Sequence, residues 1–190
     1  MERYRIQPEA SVYFLTYSVV EWLPIFVSEK SCRIVTDSLL FCHRQKNLGI
    51  NAYVIMPAAT EGLLFASPAL CCDPCRHNGD HATVFWRPER ETGAAEETFG
   101  QGVSHFPPCF AEVLREKAGE DRARRLWQPS RHPEAIQTEP FWRQKLDYLH
   151  DNPRRKGLVR QPDHWRFSSA AFFLSDGPVD CDVPITQIAW

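Results

Sequence analysis

The chain predicts an α+β fold, an antiparallel sheet backed by helices, and three observations carry that reading. Its first elements run strand, helix, strand, turn, strand. The apolar spacing switches between a period of two and a period near 3.6 as they alternate. The second and third strands are short and joined by PAATE, as in a hairpin.

Ser11 to Val19 (SVYFLTYSV) alternates and is rich in β-branched and aromatic types, which suits a strand. Ser28 to Lys46 sets Cys32, Val35, Leu39 and Cys42 at helical spacing, with Gly49 as its stop. Asn51 to Met56 (NAYVIM) reads as a second strand and Gly62 to Ala66 (GLLFA) as a third. Residues 68–102 hold neither period for long, an irregular insert or degraded segment that a compact domain rarely carries. Pattern returns at Phe110 to Lys117, a helix, followed by the basic turn RARRLWQPSRHPEAI. A second helix is read from Thr138, with Thr138 as N-cap, Glu139 in the first turn and Pro140 where its missing N–H costs nothing. Pro153 should end it near Asp151 or Asn152, since a residue before proline is pushed out of the α region. HWRFSSAAFFL then folds back on the core, ahead of an acidic, proline-containing tail at 176–190. All 190 residues are read as one domain.

With 43% hydrophobic and 24% charged residues the composition is that of a globular domain. No apolar run approaches the ~20 residues of a membrane span, and MERYRIQPEA has no signal-peptide core, so a cytoplasmic location is the expectation. Seven cysteines, an odd number, argue against a disulfide framework. Cys32 and Cys42 read as buried small hydrophobes. Cys72, Cys75, His77 and His81 form a C-x2-C, H-x3-H set whose pairs are too close together for a zinc finger, leaving a structural zinc module as a minor reading. The net charge of −2 is unevenly spread: Arg115 to Arg166 holds 13 basic against 8 acidic residues, Ala58 to Leu114 only 3 against 8. A local positive balance points to a polyanion-binding face.

The most informative stretch is DYLHDNPRRKGLV, Asp147 to Val159. Trp142, Leu146 and Leu149 form a narrow apolar stripe on its helix, with Tyr148 and Asn152 neighbours at i and i+4 to one side. A tyrosine hydroxyl beside an amide able to ligate a hard cation suits attack on a phosphodiester. The alternative is ordinary: a tyrosine flanking an apolar stripe usually packs, and Arg154, Arg155 and Lys156 are by default a solvated basic turn.

Four segments in order, RYRIQPEASVYFLTYS, NAYVIMP, WQPSRHPEAI and LDYLHDNPRRKGLV with DHWRFSS, resemble the REP-associated tyrosine transposases, single-tyrosine members of the HUH superfamily. The resemblance implies a ferredoxin-like antiparallel sheet with helices on one face. It further implies a divalent cation, Mg2+ or Mn2+, held by two strand histidines and a helix side chain, and a tyrosine that cleaves and rejoins single-stranded DNA beside a hairpin. On this chain Tyr148 matches the nucleophile and Asn152 the helix-borne metal ligand. Arg154, Arg155 and Lys156, with Arg143 and Lys145 on the same helix and Trp127 as a stacking ring, would meet DNA.

The match breaks at the metal. Where the family carries His-x-His after the second strand, this chain has Ala59 and Glu61. Alanine ligates nothing, and Glu61 alone offers a carboxylate. Metal binding and cleavage are therefore expected to be weak or absent. A compensated reading-frame shift over about Ala58 to Gly102 would explain the alien composition there; translation of the coding DNA in the other frames should then recover His-x-His. The expectation is a transposase-family protein, monomer or homodimer and not membrane-bound, acting on single-stranded or hairpin DNA in transposition. The alternatives are a non-catalytic hairpin-binding protein or, less favoured, the zinc module.

Overall fold

The computed structural model describes residues 12–65, 108–116, 126–128, 133–176, 179 and 181–188. Four antiparallel strands, β1 (Val12–Ser18), β2 (Gly49–Met56), β3 (Ala59–Phe65) and β4 (Glu134–Ile136), lie in the order β2-β3-β1-β4. With α1 (Glu29–Lys46) between β1 and β2, and α2 (Pro108–Glu116) between β3 and β4, this is the expected ferredoxin-like arrangement. β4, hidden in the sequence inside a basic turn, pairs Val12 with Ile136 through Phe14 with Glu134. At three residues it is too short to show a period.

Each sheet face buries one set of alternating side chains. Tyr53 and Ile55 join Val35, Leu39 and Leu114 on the face covered by α1 and α2. Ala52, Val54 and Met56 join Val12, Phe14 and Ile136 on the other face, under Leu146 and Leu149 of α3 (Glu139–Arg155). The helices thus cover both faces, not one as first expected, because α3 brings its own apolar stripe to the second.

Local chemistry sets the element ends. Ser28 caps α1 in a reciprocal box with Ser31, each backbone N–H meeting the other's Oγ at 3.2 Å. The stop is Asn47, left-handed at φ 51°, and Gly49 already belongs to β2. The β2–β3 loop is only Pro57–Ala58, since Ala59 already pairs with Met56; the five-residue PAATE turn is corrected to two. Thr138 is the N-cap residue of α3, without a side-chain capping bond. Pro153 does not end α3, because it forfeits only its own N–H. Gly157, at φ 73°, closes the helix, with Leu158 N–H on the Pro153 carbonyl and Gly157 N–H on that of Arg154, both at 2.9 Å.

The outer edge of β2 is covered by the C-terminal part of the chain. Ile55 N–H bonds the Phe167 carbonyl, Ser169 N–H the Tyr53 carbonyl and Thr186 N–H the Ile50 carbonyl, at 2.8–2.9 Å. The segment folds back as expected, through α4 (Ala170–Leu174), and the tail follows it, burying Val183 completely. Among the described residues no helix is long and apolar enough to cross a membrane. The Cys72, Cys75, His77 and His81 set and the irregular segment at 68–102 lie outside the described residues.

Candidate nucleic-acid interface

β3 and α3 build the candidate site between them. Strand alternation turns Ala59 and Glu61 to one face, and the register places Ala59 between Ser18 and Met56, Glu61 between Thr16 and Val54. That face receives α3. Leu149 is fully buried there, and one turn on, Asn152 reaches the sheet and donates from Nδ2 to Glu61 Oε2 at 2.5 Å. Both residues are buried, Asn152 at 7% and Glu61 at 8% exposure. Asn152 thus belongs to the buried stripe, while Tyr148 stands 41% exposed. The Tyr148 ring meets Phe14 edge-on at 6.1 Å and lies under the Arg155 guanidinium at 5.4 Å.

Burial pushes the Glu61 carboxyl up to about 7, against the opposing pull of the Asn152 bond and of Lys145, Lys156 and Arg155. A divalent cation of the kind the family resemblance implies needs ionised carboxylates, imidazoles or open carbonyls at its ligands. Here one desolvated carboxyl is tied to an amide N–H, a methyl group stands at the other strand position, and no three His, Cys, Asp or Glu side chains cluster among the described residues. These residues do not fit Mg2+ or Mn2+.

The basic candidates separate by their partners. Lys145 is held by Glu134 at 2.5 Å and sits over the Phe14 ring at 4.8 Å. Arg143 pairs with Glu139 at 2.6 Å, and Arg154 with Asp151 at 2.5 Å, which holds the Asp151 carboxyl below its usual range. Arg155 and Lys156 have no ion pair among the described residues, and both are exposed. Trp127 is a correction. Residues 126–128 extend the pairing of β1, and the indole is buried at 8% exposure, stacked on Phe26 at 5.7 Å and edge-on to Tyr17, so it cannot take a base.

One polar pair escaped the sequence reading. His150, between Tyr148 and Asn152, is 4% exposed, and its Nε2 meets Ser169 Oγ at 2.8 Å; Ser169 in turn accepts the Tyr53 N–H at 3.0 Å. Burial lowers the His150 imidazole to about 4, so it is neutral near pH 7. The signal was available: a histidine beside the apolar stripe, and two serines in DHWRFSS.

Fold and site define a ferredoxin-like α+β domain with a tyrosine helix laid across the sheet face that carries Ala59 and Glu61. The chain is 26% identical over 94 residues to a REP-associated tyrosine transposase of Escherichia coli (strain K12), a match that spans 48% of this chain and 57% of that relative. Its fold is similar to that of a solved REP-associated tyrosine transposase bound to a REP hairpin, with a TM-score of 0.56 and 17% identity, over 100% of this chain and 94% of that one. No family model matches. The chain is thus similar to the REP-associated tyrosine transposases in part of its sequence and in its fold, and it carries Ala59 and Glu61 where that resemblance implies His-x-His.

Proposed function

We propose that this chain binds hairpin DNA flanked by single strand, along the surface where α3 ends, and does so without a divalent cation. The observation that carries the reading is the division of basic groups on α3. Arg143, Lys145 and Arg154 are engaged by carboxylates, whereas Arg155, over the Tyr148 ring, and Lys156, next in the chain, are exposed. Phosphate contacts need such uncommitted charge, and a local positive balance serves them even in a chain of net charge −2. The solved relative of like fold is bound to a REP hairpin, which makes a hairpin the probe of choice. Arg155→Ala and Lys156→Ala should each weaken hairpin binding at every sequence tested and lower the slope of log affinity against log salt by about one. An unchanged slope in both variants removes this surface from the interface.

A second reading, tyrosine-mediated cleavage and rejoining of DNA as in transposition, is favoured by one observation, the exposure of Tyr148 beside the Arg155 guanidinium. Attack by its hydroxyl oxygen on a phosphodiester would leave a phosphotyrosine and a free 3′-hydroxyl. Nothing in the Glu61–Asn152 pair supplies a Lewis acid for that step, so the covalent adduct on a hairpin oligonucleotide should be faint or absent. A strong adduct lost in Tyr148→Phe would restore the enzyme reading.

A further inference from the structure

The turn that follows β1 breaks a local rule. Leu23 N–H bonds the Val20 carbonyl at 3.2 Å, and both residues between them have positive φ, Glu21 at 52° and Trp22 at 55°. Positive φ at both central residues is what a type I′ turn requires, and Asn-Gly meets that requirement readily. A Glu-Trp pair resists it, because in the left-handed region Cβ crowds the following carbonyl. The turn is imposed from outside. Val19 N–H bonds the Ala58 carbonyl at 2.8 Å, Val20 N–H that of Leu126 at 2.9 Å and Phe26 N–H that of Pro57 at 2.9 Å, with Val20, Ile25 and Phe26 buried as anchors. The product is a tied loop that holds the Trp22 indole 62% exposed, with Pro24 and Val27 further along it also exposed. A large ring in water adds little to the fold, so packing does not account for the strain around it.

The position of this loop is informative. It is tied to the Pro57–Ala58 turn, next to the Ser18–Ala59 pair that ends the β1–β3 ladder. α3 heads the same way: Tyr148 touches Phe14, Asn152 reaches Glu61, whose partner on β1 is Thr16, and Arg155 and Lys156 follow. The exposed indole and the uncommitted cations thus stand toward one end of the sheet. An exposed indole offers a flat aromatic face, and every nucleobase has a π-face to set against it.

We propose that Trp22 is a stacking platform for an unpaired nucleobase in the single strand beside the hairpin. The proposal rests on the DNA-binding reading above and deepens it: cations hold the backbone, and a pre-set aromatic face takes a base without regard to its identity. The test uses the full chain and two labelled hairpin oligonucleotides, one blunt and one with an unpaired flank, compared by fluorescence anisotropy. The unsubstituted protein should prefer the flanked hairpin. Trp22→Ala should bind the blunt hairpin as the unsubstituted chain does and lose roughly tenfold or more on the flanked one, whereas Trp22→Tyr should keep most of the preference. Trp22→Gly, which accepts the positive φ, guards against a folding defect and should behave like Trp22→Ala. A flank preference retained in both Trp22→Ala and Trp22→Gly, or absent from the unsubstituted chain, overturns the proposal alone. Failure of the unsubstituted chain to bind either hairpin overturns the DNA reading and this proposal with it.

Discussion

Asn152 on α3 donates to Glu61 on β3 across 2.5 Å, so the residue that the family resemblance would make a helix-borne metal ligand is bonded to a residue standing where that resemblance implies a histidine. The pair fastens the helix to the sheet where the family resemblance implies a cation. Asn152→Ala leaves the buried Glu61 carboxyl without that donor and should cost about 1–3 kcal/mol. The loss should be larger at pH 8, where the carboxyl is ionised, than at pH 5. Urea unfolding at the two pH values measures it.

Glu61 and His150 give opposite pH dependences. Glu61 is raised from 4.5 to about 7 on folding, so its contribution is intact below pH 4.5 and lost as pH rises through 7. His150 is lowered from 6.5 to about 4, so its contribution is intact above pH 6.5 and lost as pH falls through 4. Each shift corresponds to on the order of 3 kcal/mol. Their slopes oppose one another between pH 4.5 and 6.5, where stability should be nearly flat. Glu61→Gln should uncover a rise over that window. A variant as flat as the unsubstituted protein would show that one of the two groups does not titrate as its burial requires.

His150 joins α3 to the strand-like C-terminal segment through Ser169, which also bonds both the N–H and the carbonyl of Tyr53. Ser169→Ala should destabilise by about 1–3 kcal/mol, since it strands a buried imidazole nitrogen. His150→Ala and the double variant complete a cycle. A coupling energy near zero would mean that the two side chains stand close without supporting each other.

The elements with a full period were legible in the sequence: β1, α1, β2 and α3 lie within a few residues of their expected spans. What failed had no period to read. β4 is three residues long, and the Pro57–Ala58 loop reads as five residues because Ala59 and Glu61, weak strand formers on either side of Thr60, break the strand signature there. Pro153 misled because its effect depends on position: near a helix end it removes a single bond, and the left-handed glycine four residues on decides the stop. At the candidate site, the motif singled out Tyr148, Asn152, Arg155 and Lys156, and the structure places them together on the last turns of α3 and at its C-cap. The ion pairs that occupy Lys145 and Arg154, and the burial of Trp127, depend on residues distant in sequence or on side-chain geometry, which spacing does not reveal.

Replacing both strand positions, Ala59→His with Glu61→His, puts two imidazoles on the face that meets Asn152. Mn2+ should then raise the melting temperature of the variant and not that of the unsubstituted chain, because a ligand bound only by the folded state adds its binding free energy to stability. A covalent hairpin adduct dependent on Tyr148 should appear with it. No thermal response to Mn2+ would mean that the two side chains cannot converge with Asn152 on one cation.

The claim that hairpin DNA is bound at the end of α3 without a cation is tested most directly by one titration. A labelled hairpin with a single-stranded flank is titrated with the unsubstituted protein in Mn2+ and again in EDTA, at one fixed salt concentration. The account predicts the same affinity in both. Binding that appears only with Mn2+, or no binding in either, would contradict it.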